Sequence, residues 1–401
     1  MAGRACLTIF QGFADACLSE LGSGRMWPAS RRRPEDSYDI YGDMESAIER
    51  LIDAGKTPEE AEELVAQAVT EVTDSAAVRV SKTLLDTAPK MLRRHGRLAR
   101  RLERVIRRDW GHALDLYYSV FVASEEAGDN FIRSLVPSTS DQESVHRALI
   151  GLHSRACRTA LEIHHLLTGG FPMGALARCR TLHELAVYAI VLADEEIREE
   201  HPDLAERYMA HQHILALHDA RAYQANVEVL GHEPLTTEDV EALGAQRNAL
   251  VQRFGTPFKE PLGWAAALLD SRRPQFKELE ERAALSHLRS YYNWASHEVH
   301  ADAKGLDHAV VTRGGITYYY TGRTNAGLAE PAHLALISLH QVTVSLLFSI
   351  DEPPMTDIYA MKAVQRLIDH AGDALAAAEE TVEAAEERYQ ATLARRQDRD
   401  A

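Results

Sequence analysis

The chain has 401 residues, of which 45% are hydrophobic and 26% charged, an ordinary globular balance that suffices for one large core or two moderate ones. Its 44 basic and 60 acidic residues leave a formal charge of -16, which excludes a body coated for non-specific nucleic-acid binding but permits a local basic patch. No Gly-x-x-x-x-Gly-Lys run is present, so phosphate binding of the P-loop kind is excluded too.

Residues 1–42 read as an irregular N-terminal arm. Pro28, Pro34 and the Arg31-Arg32-Arg33 run break any periodicity after a short helix, so this arm is expected to be mobile or to lie along the surface. Residues 43–136 read as an N-terminal helical region. Asp43 suits a cap for a helix ending near Ala54, and Thr57-Pro58-Glu59-Glu60 carries a full start signal: an N-cap, a proline at the first helical position and a capping-box glutamate. From Met91 to Trp110 eight arginines interleave with Leu92, Leu98, Leu102, Val105 and Ile106, the pattern of a basic amphipathic helix. Pro137-Ser138-Thr139-Ser140-Asp141 is the best linker and the expected domain boundary.

Residues 142–350 read as the main helical domain, with helices expected at about 142–168, 174–199, 202–229, 237–253, 276–302 and 328–350. Two β-rich runs, 308–313 and 316–320, flank Gly314-Gly315 and predict a small hairpin. The most apolar stretch, Leu334 to Ile350, is broken by His340 and Gln341 and is too short to span a bilayer. Residues 362–396 read as one long helix whose Glu379, Glu380, Glu383, Glu386 and Glu387 suit a solvated face or a weak helix seam. The expected fold class is therefore all-α, a multi-helix bundle with one small β-hairpin insertion. Cys6, Cys17, Cys157 and Cys179 have neither zinc-ligand nor redox-pair spacing, which predicts reduced thiols and a cytoplasmic protein.

Two polar helices carry the candidate chemistry. In Arg178-Cys179-Arg180-Thr181-Leu182-His183-Glu184, Arg180 and Glu184 share a face, with His183 beside them. A structural ion pair, a ligand or catalytic site and a solvated face are all open readings. In Tyr291 to His300, the residues Tyr292, Ser296 and His300 follow at four-residue spacing and form one stripe, with Asn293 and His297 on its flank. His300 suits a general base, a metal ligand or a core histidine bonded to Ser or Tyr. The two helices are expected to meet, because one carboxylate cannot satisfy the five donors of Arg180. His183, Glu184, His297, Glu298, His300 and Asp302 are all of ligand type, yet no His-Glu-x-x-His occurs and the Glu162-to-His165 run is only a fragment of a di-iron pattern. Neither a metal nor another cofactor is expected. Arg93, Arg97, Arg101, Arg104 and Arg108 are the candidate nucleic-acid contacts, with docking onto the acidic 379–387 helix as the structural alternative.

Arg180 and Glu184, a Gly263-Trp264 element, and Tyr292, Ser296 and His300 together resemble a bacterial helical domain family of unknown function over roughly residues 145–350. Arg178-x-x-x-x-His183 also resembles the Arg/His motif of the HEPN helical nucleases of toxin and phage-defence systems, though Cys179 stands where those enzymes usually carry a polar residue. That second resemblance implies RNA cleavage without a metal, with an arginine on the phosphate and a histidine moving the proton. The expected function is a helical interaction or sensor module, in a bacterial defence setting. The alternative is a metal-independent HEPN-like endoribonuclease, and whether the chain is an enzyme stays open. Expected partners are RNA or another nucleic acid, a second copy or a partner protein, and no membrane.

Overall fold

The computed structural model describes residues 40–135, 140–300, 303–313, 316–319, 321–350 and 352–400. Most of the expected N-terminal arm, the core of the 137–141 linker and the Gly314-Gly315 turn lie outside the described residues. The chain divides into two compact units, residues 1–101 and 102–401.

The first unit holds α1 (Ile40–Asp53) and the start of α2 (Pro58–Ser134). The capping box at the start of α2 forms as its sequence predicts: the Glu60 amide donates to Thr57 Oγ1 at 3.2 Å, and the Thr57 amide donates back to Glu60 Oε2 at 3.4 Å. α2 runs for 77 residues and carries Pro89 in its interior, where proline removes one backbone bond and costs about 3 kcal/mol. Among the described residues of this unit, Ala47, Ala61, Val65 and Val72 are buried.

The second unit continues through the rest of α2 and then α3 (Ser140–Thr168), α4 (Pro172–Ala193), α5 (Glu195–Glu200), α6 (Leu204–Ala210), α7 (Gln212–Leu230) and α8 (Thr237–Phe254). It closes with α9 (Phe276–Arg282), α10 (Arg289–Val299), α11 (Ala329–Leu347) and α12 (Met355–Asp400). α3, α4 and α11 pack on one another at the centre. α4 and α11 are apolar around most of their circumference, so each is buried on several sides rather than along one stripe. α10 packs on α4, and α12 covers α11. Cys157 and Cys179 are free, buried thiols; burial pushes Cys157 up to about 12 and Cys179 higher still.

Three expected helices divide, the 174–199 helix breaking at an extended Asp194 into α4 and α5. The expected 202–229 helix divides into α6 and α7 at His211, whose ring Nε2 meets the Glu260 carbonyl at 2.9 Å. The expected 276–302 helix breaks after Arg282: Ala284 takes a left-handed φ of 55°, a short 3-10 turn follows at Ser286–Leu288, and α10 starts afresh. No glycine or proline marks that break.

The fold class needs one correction: it is an all-α multi-helix bundle, with no β-hairpin as a component of the architecture. Among the described residues, β structure amounts to β1 (Val310–Arg313) facing β2 (Ile316–Tyr319), Val310 opposite Tyr319, and the connecting turn is not among them. Tyr318 and Tyr319 are exposed. Two four-residue strands are too small to act as a sheet layer. No helix of the described residues is long and apolar enough to cross a membrane.

His153 of α3 is buried between Cys157 and Thr343, with its Nε2 3.3 Å from Thr343 Oγ1. Burial holds its pKa down at about 4, against a smaller opposing hydrogen bond to Ser124. The depressed value means that the native state refuses a proton which the unfolded chain accepts. This contribution is therefore fully present above about pH 6.5 and is lost as pH falls toward 4, about 3 kcal/mol in all. Urea unfolding between pH 7 and pH 4 should show that decline, and a His153→Phe variant should flatten it.

Candidate functional site

The site is assembled where α10 crosses α4. Arg180 and Glu184 stand one turn apart on α4, and the Arg180 Nε donates to Glu184 Oε1 at 3.2 Å. The same Nε reaches the Tyr292 hydroxyl of α10 at 3.1 Å, and that hydroxyl donates to Glu184 Oε1 at 2.9 Å. At the end of α10, His300 brings its Nε2 to 3.0 Å from Arg180 Nη1. An arginine can only donate, so His300 Nε2 accepts and the ring proton in this geometry sits on Nδ1. His300 is the residue just past the helix, held by its amide on the Ser296 carbonyl, and it is exposed.

Burial alone would lower the Arg180 pKa, but Tyr292 and Glu184 outweigh it and the net direction is upward, so the cation is permanent. Burial, helped by Glu184, pushes the Tyr292 hydroxyl up to about 12, so it remains a neutral donor. The Arg180 and Arg289 guanidinium carbons each lie 5.0 Å from the Tyr292 ring centroid, two cation–π contacts that fix the ring. Behind the ring, a small cavity of about 20 Å³ bordered by Cys179, His183 and Ser338 has room for one water. His300, which does not border this cavity, is the exposed member of the cluster.

A second network supports the first. Glu280 of α9 is fully buried; it accepts from His183 Nε2 at 2.9 Å on one oxygen and from Arg289 on the other. Phe276 stacks 4.9 Å from Tyr292, and Tyr188 links Phe276 to Trp264. Gly263 is required there by space, because a Cβ would come within 2.4 Å of the Phe258 carbonyl. Gly263-Trp264 is therefore a packing element beneath the site.

Not every candidate residue joins the cluster. Arg178 points the other way along α4 and pairs with Glu162 of α3 at 2.7 Å. His183 is buried against Glu280. Five positions apart on a helix, the two side chains leave on different sides and meet different partners. Ser296 turns its hydroxyl onto the Tyr292 carbonyl of its own helix at 2.7 Å and does not reach Arg180. Glu280 and Arg289 were not anticipated. Glu280 lies in the run Glu278-Leu279-Glu280-Glu281, which reads as a solvated acidic face, and only the tertiary fold reveals its burial.

Arg93, Arg97, Arg101, Arg104 and Arg108 are all exposed on α2. The last arginines of the run are partly neutralised within the chain: Arg107 forms a bidentate pair with Asp115, and Arg108 another with Asp109. Within the second unit, Arg108 and Asp109 line one side of a cavity of about 1240 Å³ that also has Glu383, Glu386 and Glu387 of α12 on its wall. Among the described residues, no three His, Cys, Asp or Glu side chains are placed to share a metal ion.

No curated protein and no solved structure matches the chain, and nothing in the comparisons supports the HEPN resemblance. The segment 146–316, which contains Arg180, Glu184, Glu280, Arg289, Tyr292 and His300, matches the model of a helical family described as a family of unknown function (DUF5677).

Proposed function

We propose that this helical module is a sensor or interaction domain that binds an anionic oxygen, of the kind a phosphate carries, between Arg180 and His300. The observation that carries this reading is the 3.0 Å contact from Arg180 Nη1 to His300 Nε2 at a solvent-exposed lip. There a permanent cation donates to a neutral nitrogen. A charged oxygen is a stronger acceptor for the same donor and can displace the imidazole. Nη2 of Arg180 has no acceptor among the described residues, so a bidentate grip is available. Glu184 and Tyr292 hold the guanidinium in place before a ligand arrives.

The same pair supports phosphodiester cleavage as a second reading. Arg180 would hold the phosphate and stabilise charge in the transition state, while His300, once freed, would move a proton at the ribose 2′-hydroxyl or the leaving oxygen. This assigns the chemistry to Arg180 and His300 rather than to Arg178 and His183. A setting in phage defence finds no support in this geometry. Fluorescence anisotropy with a labelled RNA oligonucleotide, alongside incubation with total RNA, separates the two readings. Binding without cleavage that is lost in Arg180→Leu supports the sensor, and His300-dependent cleavage supports the nuclease. Binding untouched by Arg180→Leu removes both.

A further inference from the structure

The basic segment of α2 has a counterpart in its own helix. Between Pro58 and Ser75 the helix carries six carboxylates and no basic residue: Glu59, Glu60, Glu62, Glu63, Glu71 and Asp74. Between Lys90 and Arg101 it carries six cations and no carboxylate. All twelve side chains belong to exposed residues. The interval between the two blocks is unusual for a helix in water. From Thr73 to Arg101 no residue is buried, yet Val78, Leu85 and Leu92 are 68%, 74% and 62% exposed. These three stand seven residues apart, the spacing of one position in a heptad, so they lie on one face with Ala88 beside them. A helical stretch of this length gains most of its stability from packing an apolar face, and the described residues of the chain leave this face bare.

We propose that α2 pairs through residues 59–101 with the same segment of a second copy, antiparallel, with Val78 of each helix against Leu85 of the other. The charge order selects the direction. A parallel pair would set arginines on arginines and glutamates on glutamates, whereas an antiparallel pair centred between the blocks sets each basic block against an acidic one. The helix is self-complementary only in that orientation, and a two-fold axis between residues 81 and 82 sets Arg100 and Arg101 of each copy opposite Glu63 and Glu62 of the other.

Sedimentation or light scattering on the full chain tests this. The wild type should show twice the 44.6 kDa chain mass. Val78→Glu combined with Leu85→Glu, both at exposed positions, should weaken association by about 100-fold or more, since each buried aliphatic side chain lost is worth about tenfold or more. Its far-ultraviolet circular dichroism after refolding should still show a helical protein. Arg93→Glu/Arg97→Glu/Arg101→Glu should be monomeric alone and should form a heterodimer when mixed with Glu62→Lys/Glu63→Lys/Glu71→Lys. A wild type that is monomeric, its stripe covered instead by residues 1–39 or its arginines bound to RNA, overturns the proposal. So does a dimer that ignores the Val78 and Leu85 substitutions or the charge substitutions.

Discussion

Glu280→Ala is expected to lower the free energy of unfolding by about 3 kcal/mol. Glu280 is fully buried, and its two oxygens serve different partners, His183 on one side and Arg289 on the other. Removing it strands a buried imidazole and leaves a guanidinium facing an empty carboxylate site. Breaking a buried charged pair from one side costs about 3–5 kcal/mol. The low end applies because the Arg289 side chain is 34% exposed and recovers part of its hydration. Glu280→Gln should fall between, since an amide oxygen can still accept but carries no charge against Arg289. Urea denaturation measures both values. A loss below about 1 kcal/mol for the alanine variant would mean that the network does not hold α9, α10 and α4 together.

The second large effect is on ligand affinity rather than stability. His300→Ala should leave unfolding within about 0.5 kcal/mol of wild type, because the residue is exposed and packs little. Arg180→Leu removes the permanent cation and should reduce affinity for a phosphate-bearing ligand by about 100-fold or more. It also deletes the guanidinium stacked on Tyr292 and leaves Glu184 with the Tyr292 hydroxyl alone. A modest loss of stability is therefore expected for Arg180→Leu and not for His300→Ala. Calorimetric titration with inorganic phosphate and with a short RNA, on both variants, reads the affinity directly.

The sequence made the cluster partly legible because helical spacing is a strong geometric rule. Arg180 with Glu184, and Tyr292 with His300, each fall at four-residue intervals, and the shortage of acceptors for Arg180 implied a second helix. The rest depended on tertiary structure. Glu280 sits in an acidic run that looks solvated, and nothing in its neighbours marks it as buried. Ser296 shares the stripe of Tyr292 but spends its hydroxyl on its own backbone, a local bond that spacing cannot exclude. The break before α10 came at Ala284, a residue with no turn signature. The two β-rich runs have strand composition, but with their tyrosines exposed they build no sheet layer and do not alter the helical class.

The central claim is that a ligand enters at Arg180 and displaces His300. Long-range proton–nitrogen spectra of the histidine side chains test it most directly, with the His300 signals assigned by their loss in His300→Ala. In the free protein, Nε2 of His300 should carry no proton. On titration with inorganic phosphate or a short RNA, the His300 signals should move as the Arg180 contact is exchanged, while those of His183, enclosed against Glu280, stay in place. Saturable binding that shifts other histidines and leaves His300 unmoved would contradict the account.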